Sequence, residues 1–369
     1  MKPSMKDLYS RVGQCMIMGF EDVTMTGGLK DLLQTIQPGG VILFARNLAD
    51  AHQTHLLVGQ CQDLAQTPLF TCVDMEGGTV DRLRGVLTQS PSAAEVYSSG
   101  DERLFRRHGR TIGAACRALG FNTDFAPVLD LAQPRSRNVL ASRAVSANGT
   151  NVARYGKEFL QGLAEEKVLG CGEHFPGLGD ADLDSHHALP RVDKAWKPFW
   201  KEDLEPYRVL RSELPFIMVA HAVYPAIVHD DLPASLSPKW IGEMLRGVLD
   251  YQGLVISDDL EMGAILGRTG AGEAAVATLK AGADMFLVCQ TEKNVHAAFE
   301  AVIHAAEKDP AFAETVTKAA ARITRFKKCA RELRGFPMSP TQTDVDALKR
   351  QIDALSQDVA AAAREMAHA

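Results

Sequence analysis

Eight short runs of apolar residues recur along the 369-residue chain, and longer amphipathic stretches separate them. The runs lack the apolar–polar alternation of half-exposed strands, which is typical of parallel sheets covered by helices on both faces. The predicted strands span 14–20, 40–44, 69–73, 121–126, 168–175, 216–221, 254–257 and 284–289. Helical periodicity between them is clearest over 47–65, 101–119, 151–167, 196–212, 238–249, 270–281 and 293–308. This alternation predicts an α/β fold, a single (β/α)8 TIM-like barrel. An open dinucleotide-binding sheet is less favoured, because no GxGxxG motif follows the first strand.

The pattern changes near residue 335, after a long region without a linker or a shift in composition. Pro337 and Pro340 end the last barrel helix because proline cannot continue an α-helix. Helical periodicity resumes over 343–367, so we predict a barrel over 1–335 and a helical C-terminal extension over 336–369. The extension is interpreted as a helix on the barrel, a partly mobile tail or a dimerisation arm. The chain is accordingly predicted to be a monomer or a homodimer.

Composition and charge exclude several classes of protein. The chain is 46% hydrophobic and 23% charged, which is typical of globular proteins. Its formal net charge is −6 and no run of five basic residues occurs, which argues against binding to nucleic acid or an anionic membrane. The sequence has no 18-residue apolar stretch and no signal-like N-terminus. Its seven scattered cysteines are not spaced as CxxC, so we expect a cytoplasmic protein without structural zinc or disulfides.

Acidic residues and histidines crowd the C-terminal ends of the predicted strands. These ends are where (β/α)8 barrels carry their reactive side chains. The residues concerned are Asp74 and Glu76 after the third strand, Asp124 and Asp130 after the fourth, Glu173 and His174 on the fifth, His221 on the sixth, and Asp258 and Asp259 after the seventh. The sequence therefore predicts an active site at this rim.

Three segments at this rim carry candidate chemistry. In GEHFPGLGDADLDSHHALP (172–190), Asp184 and His186 share a face of an extended chain, so the carboxylate can orient the imidazole and raise its pKa. In GLVISDDLEM (253–262), Asp258 enters the barrel mouth as a candidate nucleophile, base or metal ligand, although no HxH or HExxH motif supports a metal. In VDMEGGTVDR (73–82), paired glycines permit a sharp turn. Asp74 then either binds vicinal hydroxyls or belongs to a turn that caps the next helix.

These segments resemble glycoside hydrolase family 3. VDMEGGTVDR is similar to the family's VDQEGGRVQR segment, GEHFPGLGDADLDSH to its KHFPGHGDTxxDSH loop, and GLVISDDLEMGAI to its SDDLxMxGA nucleophile segment. GGVILFARN, FNTDFAPVLDL, NVLASRAVS and IMVAHAVYP fit in the same order, so the resemblance covers about residues 10–335. The DSH loop points to the β-N-acetylglucosaminidase branch of the family.

The resemblance implies a retaining exo-β-N-acetylglucosaminidase that acts on small glycans such as peptidoglycan turnover fragments. It implies Asp258 as the nucleophile, His186 as the general acid/base and Asp184 as its partner, with no cofactor or metal. The residues implied to bind the sugar are Asp74, Arg82, Arg143, Glu173 and His174. Asp259 is expected to have a structural role.

The sequence departs from the family pattern at two positions. Glu173 stands where the family has Lys, and Thr79 where it has Arg. Sugar hydroxyls can donate to Glu173, but a lost charged donor costs about 1–3 kcal/mol. His187 offers a competing imidazole, although the DSH spacing favours His186. The alternatives are a family 3 hexosidase of altered sugar specificity, a phosphorylase in which phosphate replaces water, or a sugar-binding protein with little catalysis.

Overall fold

Eight parallel strands close into a barrel in the computed structural model, which describes residues 5–181, 183–185 and 187–368. The strands are β1 Met16–Met18, β2 Gly40–Ile42, β3 Phe70–Val73, β4 Thr123–Asp124, β5 Leu169–Phe175, β6 Phe216–Val219, β7 Leu254–Asp259 and β8 Met285–Val288. Each strand pairs with the next along the chain, and Met16 opposite Phe286 closes the ring. The predicted barrel is therefore confirmed. Each apolar run coincides with one strand, but β7 continues two residues further than predicted, to Asp259.

Helices cover the outside of the barrel and its rims. The α-helices are α1 Met5–Gln14, α2 Gly27–Ile36, α3 Ala51–Leu64, α4 Ala93–Ser98, α5 Glu102–Ala118, α6 Arg137–Leu140, α7 Gly149–Glu165, α8 Trp196–Lys201, α9 Glu205–Leu210, α10 Pro225–Val228, α11 Gly263–Leu266, α12 Ala271–Ala281, α13 Glu292–Lys308, α14 Pro310–Cys329 and α15 Gln342–His368, and a π-helix spans Lys239–Val248. Within the described residues, none of these helices is both long and apolar enough to cross a membrane.

The single helix predicted over 196–212 is wrong. The segment forms two helices, α8 and α9, because Pro206 lies in the first turn of α9 and has no backbone N–H to continue an earlier helix. Two of the three residues between the helices, Glu202 and Asp203, contact Lys194 at the rim of the barrel.

An aromatic cluster supports the rim beside β5 and β6. The Trp240 ring lies 5.0 Å from that of Tyr224 and 5.9 Å from that of Phe199, and Phe175 packs edge-on against Tyr207. All five rings are almost completely buried. The cluster gives the loop after β5 a rigid base, since buried aromatic side chains contribute large contact areas.

The C-terminal helix α15 lies on the barrel against α4 and α5. It buries one apolar stripe there, formed by Val345, Leu348, Ile352, Leu355 and Val359. The segment that precedes α15 is fixed by Phe336, whose ring lies 4.8 Å from that of His55. The interpretation of the extension as a helix on the barrel is therefore confirmed.

Candidate active site

The C-terminal ends of the strands open into a cavity of about 300 Å³. This volume is at the lower end of the range for small-ligand sites. The cavity floor is formed by side chains of the barrel strands, among them Ile42, Met218 and Leu287. Seven of the eight sequence-predicted site residues line the cavity, namely Asp74, Arg82, Arg143, Glu173, His174, Asp184 and Asp258. The eighth, His186, lies outside the described residues.

Two adjacent carboxylates end strand β7, and their surroundings differ. Asp258 lines the cavity, and its Oδ1 accepts a hydrogen bond of 2.8 Å from the backbone N–H of Asp259. Asp259 accepts backbone hydrogen bonds from Glu261 at 3.0 Å and from Cys289 at 3.2 Å. Burial raises the pKa of Asp259 to about 6. The bonds of Asp259 thus join the ends of β7 and β8, while Asp258 faces the space that a ligand would fill.

A tight hairpin after β3 brings Arg82 back to Asp74. Its strands are Met75–Gly77 and Val80–Asp81, and Gly77 has a φ of +84°. A Cβ at Gly77 would lie 2.1 Å from the Pro91 carbonyl oxygen, so only glycine fits there. Arg82 Nη2 and Nε donate to Asp74 Oδ2 at 3.1 and 3.3 Å. Burial raises the pKa of Asp74, and the Arg82 charge opposes this shift.

Arg143 is held in the cavity wall by Glu76. The guanidinium donates two hydrogen bonds of 2.8 Å, from Nε to Oε2 and from Nη2 to Oε1. Glu76 is only 4% exposed and the Arg143 side chain 17%, so this pair is largely buried. Burial disfavours the charged guanidinium, but Glu76 and then Glu173 outweigh burial and raise the pKa of Arg143. The sequence pattern places Glu76 at the rim but gives it no role, although it lies two residues after Asp74 in the same motif.

Asp130 fixes the orientation of the His174 ring. His174 Nδ1 lies 2.8 Å from Asp130 Oδ2, and Asp130 Oδ1 accepts the backbone N–H of Leu178 at 2.7 Å. Burial alone would lower the pKa of His174, but Glu173 and Asp130 raise it to about 10. Burial also raises the pKa of Glu173 well above its usual range, against the opposing effect of His174. A proton therefore stays on this pair at neutral pH. Asp130 is a second rim residue to which the sequence pattern gives no role.

Arg143 and His174 each contact one carboxylate closely, and Glu173 lies further from both of them. Its oxygens lie 3.5 Å from Arg143 Nη2 and 3.5 Å from His174 Nε2, longer than the 2.8 Å contacts of those groups with Glu76 and Asp130. Glu173 therefore keeps capacity to accept hydrogen bonds from a ligand. Among the described residues, no three His, Cys, Asp or Glu side chains are grouped to hold a metal ion.

The loop after β5 reaches across the cavity towards the end of β7. Asp184 and Ser185 line the cavity, and the Ser185 carbonyl accepts a hydrogen bond of 3.1 Å from the N–H of Ala264 in α11. The Asp184 carbonyl accepts the N–H groups of His187 at 3.0 Å and Ala188 at 3.1 Å. The loop backbone is thus fixed on both sides of position 186. The shared face of Asp184 and His186 stays a prediction.

Known proteins of similar sequence share most of the chain. The profile of the glycosyl hydrolase family 3 N-terminal domain matches residues 8–326. A beta-hexosaminidase of Alkalilimnicola ehrlichii is 34% identical over 343 residues, which cover 88% of this chain and 97% of the relative. A beta-hexosaminidase of Bordetella avium is 39% identical over 265 residues, which cover 68% of this chain and 73% of the relative.

Solved structures agree with these relatives. A glycoside hydrolase family 3 beta-N-acetylglucosaminidase from a Paenibacillus species matches with a TM-score of 0.89 and 33% identity, covering 95% of this chain and 68% of that one. A beta-N-acetylhexosaminidase from Beutenbergia cavernae matches with a TM-score of 0.79 and 27% identity, covering 87% of this chain and 98% of that one. The closed barrel, the carboxylates at its rim and the match over residues 8–326 together show that the chain belongs to glycosyl hydrolase family 3 and is a glycoside hydrolase.

Proposed function

We propose that the protein is a retaining exo-β-N-acetylglucosaminidase. It releases terminal N-acetylglucosamine from small glycans such as peptidoglycan turnover fragments. The observation that carries the proposal is that Asp258 lines a cavity of about 300 Å³ together with the polar side chains of Asp74, Arg82, Arg143, Glu173 and His174. A cavity closed at one end suits an enzyme that removes one terminal residue. The hexosaminidase names of the relatives support the choice of sugar.

The proposed reaction has two displacements at the anomeric carbon. A carboxylate oxygen of Asp258 attacks that carbon and forms a covalent ester, while the bond to the leaving oxygen breaks and His186 protonates that oxygen. His186 then removes a proton from water, whose oxygen attacks the same carbon and releases Asp258. Two inversions give net retention of the β configuration. Asp184 orients the imidazole and stabilises its charged form.

The wall residues divide into acceptors and donors for the hydroxyls of the sugar. Asp74 and Glu173 accept hydrogen bonds, and Arg82, Arg143 and His174 donate them. The ion pairs of Arg82 with Asp74 and of Arg143 with Glu76 hold these groups in place before the sugar binds. Such pre-organisation reduces the cost of ordering side chains on binding.

The proposal also covers the domain organisation, the oligomeric state, the location and the partners of the enzyme. Residues 1–335 form the catalytic barrel and residues 336–369 the helical extension, and the protein acts as a monomer or a homodimer in the cytoplasm. Its partner is a small glycan, without nucleic acid or membrane. No cofactor or metal takes part in the proposed reaction.

Turnover of 4-nitrophenyl N-acetyl-β-glucosaminide and of the β-glucoside, each with and without phosphate, tests the proposal. We expect hydrolysis of the N-acetyl substrate alone, unaffected by phosphate. Asp258→Asn should lower kcat by on the order of a thousandfold or more, since it removes the nucleophile. Asp63→Asn, at an exposed position on α3, is the matched control and should be fully active.

The other outcomes each favour one alternative. Acceleration by phosphate with a sugar 1-phosphate product would indicate a phosphorylase. Preference for the β-glucoside would indicate a hexosidase of altered specificity. Binding of N-acetylglucosamine without turnover of either substrate would indicate a sugar-binding protein.

A further inference from the structure

Lys194 lies among three carboxylates at the rim of the barrel. Its Nζ is 2.7 Å from Asp203 Oδ2, 2.7 Å from Glu202 Oε2 and 3.2 Å from Asp180 Oδ2. The Lys194 side chain is 13% exposed and that of Asp203 only 1%. The pair of Lys194 and Asp203 is therefore screened little by solvent, whereas Asp180 and Glu202, whose side chains are 28% and 49% exposed, lie at the edge of the cluster.

The three carboxylates come from both sides of one loop. Asp180 lies near the start of the loop over 177–190, and Lys194 follows the end of that loop by four residues. Glu202 and Asp203 lie between helices α8 and α9. A single ammonium group therefore ties the two flanks of the loop to each other and to the helical layer.

Other contacts hold the flanks, and among the described residues of the loop one backbone bond docks its middle on α11, which follows β7. Tyr224 Oη donates to the Gly177 carbonyl at 2.9 Å, and the Val192 N–H donates to the Val223 carbonyl at 2.9 Å. Between the flanks, the Ser185 carbonyl accepts the Ala264 N–H at 3.1 Å. The position of Asp184 and Ser185 in the cavity wall thus depends on how firmly the flanks are held.

We propose that Lys194 is a positioning residue, which keeps Asp184 and Ser185 against the cavity by neutralising Asp180, Glu202 and Asp203. The inference rests on the proposed function, in which this loop supplies the general acid/base. Without the ammonium, three carboxylates face one another and repel. Burial already raises the pKa of Asp203 to about 6 against the opposing effect of Lys194, which shows how poorly this carboxylate is solvated. The loop then moves away from the cluster and carries Asp184 with it.

The effect on catalysis should depend on how much the leaving group needs a proton. General acid catalysis contributes about 10²–10⁴-fold, and a displacement of about 1 Å can cost about a hundredfold. A phenol leaving group requires protonation as the glycosidic bond breaks, whereas 2,4-dinitrophenol leaves without it. A displaced acid therefore lowers kcat/KM for the phenyl substrate and spares the dinitrophenyl substrate. A mere loss of folded enzyme lowers kcat/KM for both equally.

The test compares Lys194→Met with Lys197→Met, an exposed lysine on α8 that serves as the matched control. With aryl N-acetyl-β-glucosaminides, we expect Lys194→Met to lose about tenfold or more in kcat/KM for the phenyl substrate and less than about threefold for the dinitrophenyl substrate. Lys194→Arg keeps the charge and should restore most of the phenyl activity. Equal losses on both substrates, or no loss, would overturn the proposal.

Hydrogen exchange tests the same role without any substrate. Lys194→Met should speed hydrogen exchange of the amides over 177–190, including those of His187 and Ala188. Exchange rates of the amides in the barrel strands should not change. Unchanged exchange in this loop, or faster exchange throughout the barrel, would contradict the proposal. If the native enzyme does not hydrolyse the N-acetyl substrates, the proposed function fails, and the exchange experiment still decides the role of Lys194.

Discussion

The pair formed by Glu76 and Arg143 offers the most quantitative prediction. Glu76→Gln keeps the size of the side chain and one carbonyl oxygen but replaces the second oxygen with an NH₂ group. That group then faces an N–H donor of Arg143 across a contact that is 2.8 Å in the native protein. The substitution therefore removes a charged acceptor and places two donors against each other in a buried wall.

The expected loss of stability follows from the burial of the pair. Removing one partner of a buried ion pair costs about 3–5 kcal/mol, and one charged hydrogen bond contributes about 1.5–3 kcal/mol. Arg143 is 17% exposed and retains Glu173 at 3.5 Å, so the guanidinium is not left wholly uncompensated. The free energy of unfolding should therefore fall by about 2–3 kcal/mol, at the lower end of these ranges.

Urea denaturation measures this loss, and an exposed pair provides the control. Glu158 Oε2 accepts from Arg106 Nε at the same distance of 2.8 Å, but the two side chains are 26% and 45% exposed. Glu158→Gln should cost less than about 1 kcal/mol. Because Arg143 binds the sugar in our account, Glu76→Gln should also raise KM for the N-acetyl substrate. Equal costs for the two variants would refute the reasoning that burial makes the Glu76 pair strong.

Three further predictions concern the cavity wall and the barrel. Glu173→Gln should lower kcat/KM for the N-acetyl substrate about tenfold, because it replaces a carboxyl oxygen with an NH₂ group that cannot accept a hydrogen bond from a sugar hydroxyl. An unchanged kcat/KM would contradict that role. Burial lowers the pKa of Lys327 from its ordinary 10.5 to about 7, so above pH 7 the unfolded chain holds a proton that the folded chain has released. The free energy of unfolding, measured by urea denaturation, should therefore rise by about 2 kcal/mol from pH 7 to about pH 9 relative to Lys327→Met. The same pH dependence in the native protein and in Lys327→Met would exclude this linkage. Gly120 has a φ of +94°, and a Cβ there would lie 2.7 Å from Phe336 Cζ. Gly120→Ala should thus lower the free energy of unfolding by about 1–3 kcal/mol. Gly85→Ala is the control, because a Cβ at Gly85 would meet open space. A fall in melting temperature no larger than that of the control would disprove the clash.

The barrel could be predicted from the sequence because each strand is buried on both faces. Such a strand appears in the sequence as an unbroken apolar run, whichever strands it pairs with. The extra length of β7 was not visible, since Asp258 and Asp259 are polar and Asp259 belongs to the strand through its pairing with Leu287 of β8. The break between α8 and α9 was signalled by Pro206 but concealed by the helical composition on either side.

The site was predictable where one motif contains both partners. Asp74 and Arg82 are eight residues apart and face each other across a hairpin whose turn the glycines indicate. Glu76 and Asp130 were placed at the rim but given no role, because their partners are distant in sequence, 67 residues away for Arg143 and 44 residues away for His174. Only the closed barrel brings such residues together. The cluster around Lys194 was missed for another reason, because its members lie close in sequence but in no recognisable motif.

The most direct test of our account is to trap the covalent intermediate. A 5-fluoro N-acetylglucosaminyl fluoride reacts with a retaining enzyme and leaves an ester that water removes slowly. We predict one added sugar in the mass of the intact protein, carried by the peptide that contains Asp258, and no addition in Asp258→Asn. Release of the sugar without an adduct, or an adduct on another carboxylate, would contradict the assignment of Asp258 as the nucleophile.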